Sequence, residues 1–399
     1  MDSLVYNSAE VGLHQNQKVT AKTPYPNELN KTFNQEMCKD ARKSIRQWKG
    51  YEVTPLISLE GFASSLGIQS LHYKDESSRF GLGSFKSLGG AYAVLKVLQR
   101  ELQSVTGKSV STEEILEGKF SDLIEKITVV TATDGNHGRS VAWGAQLFGC
   151  HARIYIHQGV SQGRADAIAQ YGAEVIWVKG NYDDSVIAAD EDAKKHGWFL
   201  VSDTSYEGYT DLPRYVLAGY TVMTQEIMEQ SDKPFTHVFV QGGVGGLASA
   251  VFGDFWQQFG ENRPYFIVVE PELADCLYQS SKRGERTTVN ITEETIMAGL
   301  SCGEVSLLSW EILEKCVDHF MTIPDDFVAP TMRLLAKGAH GADPIVSGES
   351  AVGGLAGLIA ARQSDTLSNQ LQLDENSRVL VIGTEGATDP EIYQTIIAG

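Results

Sequence analysis

The 399-residue chain carries 33 Lys and Arg against 51 Asp and Glu, a net charge of −18, and 42% of its residues are hydrophobic. This acidity excludes a nucleic-acid backbone and an anionic membrane surface as binding partners. The length suggests about two domains, and the composition is that of a soluble globular protein with a sizeable core.

No stretch approaches the roughly 18 apolar residues of a membrane span, and the polar start Met1-Asp2-Ser3 lacks the apolar core of a signal peptide. We therefore expect a cytoplasmic protein. The cysteines form an odd set without C-x-x-C spacing, which indicates reduced thiols and no metal site; they are Cys38, Cys150, Cys276, Cys302 and Cys316.

The first third of the chain is predicted to be mainly helical. After an irregular polar start over residues 1–28, apolar spacing predicts further elements in chain order. They are an amphipathic helix over 29–48, a helix with strand-like edges over 57–71, a short strand over 71–76, a helix from Ala91 to about Leu102, and a polar surface insertion over 103–122.

From Ile127 onward, β-rich runs alternate with helical runs of about 10–15 residues, which is typical of βαβ units and a parallel sheet. We therefore expect an α/β fold with two open, twisted, mostly parallel sheets flanked by helices. The predicted strands fall into two series, 128–132, 153–156, 175–178 and 199–202, then 237–240, 266–270, 320–323 and 379–382.

A lysine precedes the helix that begins near Ala91, in Gly83-Ser84-Phe85-Lys86-Ser87-Leu88-Gly89-Gly90. The N–H groups and positive dipole end of a helix N-terminus disfavour an ammonium there and favour a neutral amine or an imine. A lysine that forms a Schiff base needs that environment. Taken alone, Lys86 also fits an ordinary surface lysine.

A second motif, Thr131-Ala132-Thr133-Asp134-Gly135-Asn136-His137-Gly138, follows a buried-type strand and opens a helix. Ligands of open α/β sheets bind at this edge of the strands. Asn136 offers an amide that can donate to a phenolic oxygen, and Asp134 places a carboxylate beside it. Both side chains also fit helix N-capping.

A third motif, Gln241-Gly242-Gly243-Val244-Gly245-Gly246-Leu247, lies between a strand and a helix, where backbone N–H groups bind phosphate. Gly243, Gly245 and Ala248 also match the dinucleotide pattern, with Glu270 placed as its ribose-binding acid. An NAD-dependent oxidoreductase is therefore an alternative interpretation of this motif. Against it, the loop lies mid-chain and its glycines are denser than a dinucleotide requires.

A fourth motif, Gly383-Thr384-Glu385-Gly386, ends the last predicted strand. The Thr384 hydroxyl could hydrogen-bond a ring nitrogen without charging it. Gly386 and Pro390 by themselves would explain the segment as a strand-to-helix turn.

In this order, the four motifs resemble the fold-type II pyridoxal-phosphate (PLP) enzymes of the threonine dehydratase and cysteine synthase group, from about residue 50 to the C-terminus. Thr54-Pro55-Leu56 and Lys74-Asp75-Glu76 resemble that family's entry segments. Asp134, Asp203 in Ser202-Asp203-Thr204, and Met297-Ala298-Gly299-Leu300 are similar to the family's ammonia-lyases that act on 2,3-diaminopropionate.

The resemblance implies a PLP cofactor, a homodimer, and the conversion of both enantiomers of an amino-acid substrate to pyruvate and two ammonia. It implies an N-terminal segment over 1–88 that joins the large domain, a smaller α/β domain over 89–199, and a large cofactor-binding domain over 200–399. It also assigns roles: Lys86 holds the cofactor, Asn136 contacts the ring hydroxyl, Gly242, Gly243, Gly245 and Gly246 hold the phosphate, Thr384 meets the ring nitrogen, and Asp134 and Asp203 serve the substrate.

The two aspartates favour a diamino substrate over serine or threonine. A β-ammonium needs a counter-charge, and a nearby carboxylate supplies about 1–4 kcal/mol depending on the dielectric. Lys86 and Asp134 would remove the α-proton from opposite faces of the substrate. Asp203 also fits a turn former. A serine or threonine dehydratase and a β-replacement synthase remain alternative functions. The sequence assigns no role to His137 or Glu349 and does not decide whether Cys276 and Cys302 form a disulfide.

Overall fold

The computed structural model describes residues 4–19, 21–133 and 135–399. Asp134, predicted to be catalytic, lies outside the described residues. The strands are β1 Gly12–Gln15, β2 Leu56–Ser58, β3 Ser70–Asp75, β4 Thr128–Ala132, β5 His151–His157, β6 Glu174–Val178, β7 Phe199–Leu200, β8 His237–Gln241, β9 Tyr265–Pro271, β10 His319–Ile323 and β11 Arg378–Gly383.

The α-helices connect these strands and cover the sheets. They are α1 Gln35–Ile45, α2 Glu60–Ser65, α3 Lys86–Thr106, α4 Thr112–Leu116, α5 Ser121–Ile124, α6 Asn136–Phe148, α7 Gln162–Ala169, α8 Tyr182–His196, α9 Asp211–Gln230, α10 Gly246–Phe259, α11 Cys276–Arg283, α12 Leu307–Cys316, α13 Val328–Ala336, α14 Gly353–Arg362, α15 Asp365–Leu371 and α16 Pro390–Ala398. Within the described residues, none is long and apolar enough to cross a membrane.

The chain divides into two compact units, of which unit 1 contains Met1–Gln35, Val53–Ser84 and Met223–Gly399, and unit 2 contains Glu36–Glu52 and Phe85–Val222. This grouping differs from the predicted boundaries at 88/89 and 199/200. Residues 36–52 join unit 2 because the Trp48 ring packs edge-on against Trp143 and Phe148 of α6, with centroids 5.9 and 5.5 Å away. The second boundary falls inside α9.

Unit 1 is built on a seven-stranded sheet in the order β1-β10-β9-β8-β11-β3-β2. The five central strands are parallel, and β1 and β2 are antiparallel edges. Four of the central strands, β8, β9, β10 and β11, are almost entirely buried, which explains their apolar runs. The carboxyl ends of β8, β11 and β3 therefore lie side by side, where such sheets bind ligands.

Unit 2 contains a four-stranded parallel sheet in the order β6-β5-β4-β7. Val130 of β4 pairs with Leu200 of β7, so the segments after these two strands start from neighbouring points on one edge. The prediction of two mostly parallel sheets flanked by helices is confirmed.

The segment 57–71, expected to be a helix with strand-like edges, contains the end of the short strand β2, the helix α2 and the start of β3, and β2 pairs with β3. The insertion at 103–122 contains α4 and α5. A reciprocal capping box between Ser111 and Glu114 starts α4, and that S-x-x-E pattern is visible in the sequence.

Candidate active site

Lys86 is the first residue of α3, and its side chain is 23% exposed. The helix forms because apolar residues recur along it, and those from Leu88 to Leu98 are almost all buried. Phe85 precedes the helix without a side-chain capping bond. Lys86 therefore begins a well-packed helix, which starts five residues earlier than the predicted start at Ala91.

The glycines after Lys86 allow α3 to pack closely against α6. A Cβ added at Gly90 would lie 2.9 Å from the Ser140 Cβ and would overlap its hydroxyl. That hydroxyl donates to the Lys86 carbonyl at 2.8 Å and accepts from the Ala91 N–H at 3.1 Å. Ser140 thus fixes the first turn of α3, and only a residue without a side chain fits opposite it.

Gly90→Ala is expected to lower the free energy of unfolding by about 1–3 kcal/mol, because the new methyl group must displace Ser140 from the first turn of α3. Gly163→Ala is the matched control. Gly163 lies in α7, and an added Cβ there meets nothing within 4 Å, so helix propensity should stabilise that variant by up to about 1 kcal/mol. Denaturant unfolding of both variants measures the difference, and equal stabilities would contradict the packing argument.

Lys86 is paired with Asp203. Its Nζ lies 2.5 Å from Asp203 Oδ2, and the Asp203 side chain is 22% exposed. Burial alone would raise the Asp203 pKa, but the Lys86 ammonium, His137 and the hydrogen bonds to the carboxylate together hold that pKa below its ordinary value. The carboxylate is therefore ionised at neutral pH and acts as a counter-charge rather than a proton donor.

His137 is buried beside this ion pair. Its Nε2 lies 2.9 Å from the Val201 carbonyl, which can only accept, so Nε2 carries the proton. Its Nδ1 lies 3.9 Å from Asp203 Oδ2 and has no hydrogen-bond partner among the described residues. Burial lowers the His137 pKa, although Asp203 opposes the shift. A neutral ring that packs behind Asp203 is consistent with an orienting role.

Tyr220, which packs beside the segment that carries Lys86, could not be predicted from the sequence. It lies in α9, and its ring packs on that of Phe85, the residue before Lys86, at a centroid distance of 4.7 Å. Burial raises the Tyr220 pKa, so the phenol stays neutral. A buried tyrosine in an apolar helix looks like any core residue, and only the fold brings it to the lysine.

Asn136 is the first residue of α6 and is partly exposed. The N-cap position belongs to Gly135, which makes no side-chain capping bond. Asn136 therefore does not occupy the N-cap position, and it lies at the start of the helix that follows β4, at the carboxyl edge of the sheet.

In unit 1, the glycine-rich loop joins β8 to α10. The N–H groups of Gly243, Val244 and Gly245 have no acceptor among the described residues. Together with the start of α10, they form a row of donors at a helix N-terminus, which suits a phosphate. The Gly242 N–H differs, because it donates to the Val269 carbonyl at 2.8 Å.

The loop is enclosed by its neighbours. A Cβ at Gly242 would lie 2.7 Å from Val268 Cγ1 and 2.9 Å from Glu270 Cγ. Gly245 has φ +94°, and an added Cβ there would lie 2.9 Å from Leu313 Cδ1. Gly242 therefore serves close packing, while the loop from Gly243 to Gly246 offers the N–H groups.

Glu270 caps a helix and does not point to a ribose. Its carboxylate is 1% exposed and accepts from the N–H groups of Leu277 at 2.9 Å and Tyr278 at 2.7 Å, in the first turn of α11. Burial raises its pKa well above the ordinary value, although these hydrogen bonds oppose the shift. Because both carboxylate oxygens accept these hydrogen bonds, Glu270 is not placed as a ribose-binding acid and no longer favours a dinucleotide cofactor.

Cys276 and Cys302 are free thiols beside the same loop. Cys276 Sγ lies 3.5 Å from the Gly243 carbonyl, and Cys302 is partly exposed. Burial raises the Cys276 pKa far above its ordinary value, and its thiol is therefore unreactive at neutral pH. Among the described residues none of the five cysteines forms a disulfide, so Cys276 and Cys302 are thiols in this structure.

Thr384 directly follows β11 and is 5% exposed. The next residue, Glu385, pairs with Ser84 in an isolated antiparallel bridge, and the Gly386 N–H donates to the Gly83 carbonyl at 3.0 Å. The segment after β11 is thus tied to the loop that leads to Lys86. Glu349 is buried in the segment next to Glu385, and its role stays undecided.

The structure therefore collects the predicted residues in two groups. Unit 2 brings together Lys86, Asp203 and His137, with Asn136 on a neighbouring strand end. Unit 1 places the glycine-rich loop and Thr384 after two adjacent strands, β8 and β11. The donors suit a phosphate and the lysine suits an aldehyde, so the residues present fit PLP.

The family model for pyridoxal-phosphate-dependent enzymes matches residues 48–385. The chain therefore belongs to this family of PLP-dependent enzymes. It is 41% identical over 377 residues to the diaminopropionate ammonia-lyase of Escherichia coli strain K12, with 93% of each chain covered. It is 43% identical over 361 residues to the diaminopropionate ammonia-lyase of Salmonella typhimurium, covering 87% of this chain and 88% of that relative.

The crystal structure of the Escherichia coli diaminopropionate ammonia-lyase in complex with D-serine matches with a TM-score of 0.87 and 38% identity, over 97% of this chain and 96% of that one. A maize serine racemase, at 20% identity, shares the fold with a TM-score of 0.72 over 92% of this chain and 98% of its own.

Proposed function

We propose that this chain is a PLP-dependent lyase that converts 2,3-diaminopropionate, in both the D and L forms, to pyruvate and two ammonia. The pairing of Lys86 with Asp203 at 2.5 Å carries the proposal. The chain is more than 40% identical to the two bacterial ammonia-lyases, which supports the choice of substrate.

The cofactor fits the groups that the chain provides. Lys86 would bind the aldehyde, and the N–H groups of the loop from Gly243 to Gly246 would hold the phosphate at the positive end of α10. Asn136 would contact the ring hydroxyl, and the Thr384 hydroxyl would meet the ring nitrogen without charging it. When bound, PLP supplies a sink for the electrons released at the substrate α-carbon.

Asp203 explains a preference for a diamino substrate. While Lys86 is an ammonium, the Asp203 carboxylate neutralises it. When Lys86 gives up that charge, Asp203 is left without its cation, and the β-ammonium of the substrate can replace it. A serine or threonine hydroxyl offers no charge and cannot compensate the carboxylate.

The reaction then requires one base and one leaving group. The Lys86 amine takes the α-proton, the electrons of the C–H bond form the Cα–Cβ double bond, and the β-nitrogen leaves with its bonding electrons as ammonia. Since the Asp203 pKa is low, the proton on the departing nitrogen is one that the β-ammonium already carries. Hydrolysis of the released 2-aminoacrylate gives pyruvate and the second ammonia.

The ammonia formed per pyruvate tests the function directly. Purified holoenzyme supplied with diaminopropionate should release two ammonia per pyruvate, with much slower turnover of serine and threonine. Faster turnover of serine with one ammonia per pyruvate would instead identify a dehydratase. Product formation only when a second nucleophile is added would identify a β-replacement synthase, and reduction of NAD without PLP absorbance would identify an oxidoreductase.

Asp134→Asn is expected to impair the two enantiomers unequally. If the Asp134 carboxylate is the base for the D form and Lys86 for the L form, kcat with the D form should fall by about 10²–10⁴-fold, the usual contribution of a general base, while kcat with the L form changes little. Pyruvate assays with each pure enantiomer measure this ratio. Equal losses on both forms would remove Asp134 from a one-face role.

We further propose that the enzyme is a cytoplasmic homodimer. The five free thiols fit a reducing compartment, and the resemblance to the dimeric lyases supports two subunits. Light scattering behind a sizing column gives the mass of the assembly, and a mass of one or four chains would contradict the dimer.

A further inference from the structure

Four charged side chains are completely buried in unit 1 and form what we call the buried ion cluster: Lys74, Glu76, Arg79 and Glu226, each at most 1% exposed. Arg79 lies at its centre. It makes two hydrogen bonds to each of the two carboxylates, at 2.7–2.8 Å. Lys74 Nζ lies 2.8 Å from Glu226 Oε2.

Thr54 completes the cluster. Its hydroxyl donates to Glu76 Oε1 at 2.6 Å, and its carbonyl accepts from Lys74 Nζ at 2.7 Å. Two cations face two carboxylates, so the buried charges balance. Because the cluster has no exposure to solvent, none of its members can touch a substrate.

Moving these charges out of water costs free energy, and a protein with well-packed apolar side chains of the same volume in their place is often as stable. Stability is therefore a weak reason for its presence. Buried ion pairs can instead fix one arrangement of the segments that carry them. Which segments this cluster joins is therefore informative.

The chain passes between the two units at 35/36, 52/53, 84/85 and 222/223. Members of the cluster lie close to three of these four passages. Thr54 is two residues beyond 52, Arg79 is six residues before 85, and Glu226 is four residues beyond 222.

Lys86 and a residue beside it lie within three residues of two of the same passages. Lys86 is the second residue of unit 2 after Ser84, and Tyr220, whose ring packs on Phe85 next to Lys86, is the third residue from the end of unit 2. Tyr220 and Glu226 belong to the same helix, α9. The cluster therefore holds both chain segments that lead to the lysine environment.

The backbone beside Arg79 is strained. Phe80 has φ +52°, a left-handed conformation that is unfavourable for an aromatic residue and persists only when its surroundings enforce it. The neighbouring Arg79 side chain is anchored by its hydrogen bonds to Glu76 and Glu226. The strained residue therefore lies beside an anchored one, on the segment that leads to Lys86.

We propose that the buried ion cluster positions Lys86, with Glu226 and Arg79 as positioning residues that fix the segments through which the chain enters and leaves the unit carrying that lysine. This inference rests on the proposed role of Lys86 in holding the cofactor. It predicts that damage to the cluster lowers turnover beyond what lost stability explains.

Glu226→Gln in the holoenzyme tests the proposal against a matched control. Asp318→Asn also removes a carboxylate from a buried arginine, since Asp318 contacts Arg263 at 2.7 and 3.2 Å, but the pair lies far along the chain from any passage. Both variants should melt at lower temperature. Only Glu226→Gln should lower kcat, by about 10–100-fold, with KM nearly unchanged, because a misplaced reactive group loses rate rather than binding.

A second variant covers the case that Glu226→Gln does not fold. Lys74→Met combined with Glu226→Met removes one charge of each sign and leaves the Arg79–Glu76 pair intact. We expect its melting temperature to recover towards wild type while its kcat stays low. Recovery of both would show a merely structural role and overturn the proposal, as would an equal loss of kcat in Asp318→Asn.

Hydrogen exchange separates this proposal from the proposed function. Peptides covering residues 77–92 and 217–230 should exchange faster in the cluster variants than in Asp318→Asn, with or without bound PLP. If the wild-type protein takes up no PLP and forms no pyruvate, the function fails, while unchanged exchange in these peptides would by itself refute the positioning role.

Discussion

Lys86→Ala is expected to lower kcat/KM for diaminopropionate by about 10³-fold or more, since both cofactor attachment and the base for the α-proton depend on its amine. The variant should remain folded, because the Lys86 side chain is partly exposed and water can solvate Asp203 in its place. Pyruvate formation measures the loss, and the visible absorbance of the lysine-bound cofactor should disappear.

Lys96→Ala is the matched control for that loss. Lys96 lies on the same helix, α3, and is also paired with an aspartate, at 3.1 Å from Asp40 Oδ2. It should keep nearly full activity and an unchanged cofactor spectrum. If Lys86→Ala formed pyruvate as fast as Lys96→Ala, the assignment of the cofactor lysine would be wrong.

Asp203→Asn should change substrate choice. A carboxylate opposite a β-ammonium contributes about 1–4 kcal/mol, so kcat/KM for diaminopropionate should fall by roughly 10–10³-fold. Serine lacks that charge, and its slow turnover should change by less than about tenfold on the same scale. Steady-state assays with both substrates give the ratio.

Asp211→Asn provides the comparison for a charge lost from the surface. Asp211 is 74% exposed and pairs with Arg214 at 3.4 Å, and an exposed pair of this kind contributes little. Its kinetics should match the wild type. A parallel loss on diaminopropionate and serine in Asp203→Asn would show that this carboxylate orients Lys86 without recognising the second ammonium.

The sheets could be predicted because the central strands are continuous apolar runs that only a doubly covered sheet can bury. The two edge strands, β1 and β2, could not be predicted. Strand β1 has four residues with no fully buried side chain, and β2 has three, so neither carries a periodic signal. The boundary inside α9 was equally invisible, since one uninterrupted helix contributes to both units.

Some residues of the candidate site could likewise be predicted from the sequence, and others could not. Lys86, Asp203 and the glycine-rich loop lie at strand or helix ends, where sequence motifs are informative. Tyr220 and Glu226 lie within a helix that the sequence presents as ordinary core, and their partners are remote in the chain. Glu270 was misread because a buried helix cap and a ribose-binding acid occupy the same place after a strand.

The tight enclosure of Gly242 and Gly245 limits what mutagenesis of the phosphate loop can reveal. A methyl group at either position collides with the protein interior before it reaches any bound anion. Weaker cofactor retention in such variants would report a distorted scaffold, and affinity could not be dissected from folding one glycine at a time. Val244 already carries a side chain between Gly242 and Gly246, so substitutions there can change the loop without adding a methyl group at a glycine position.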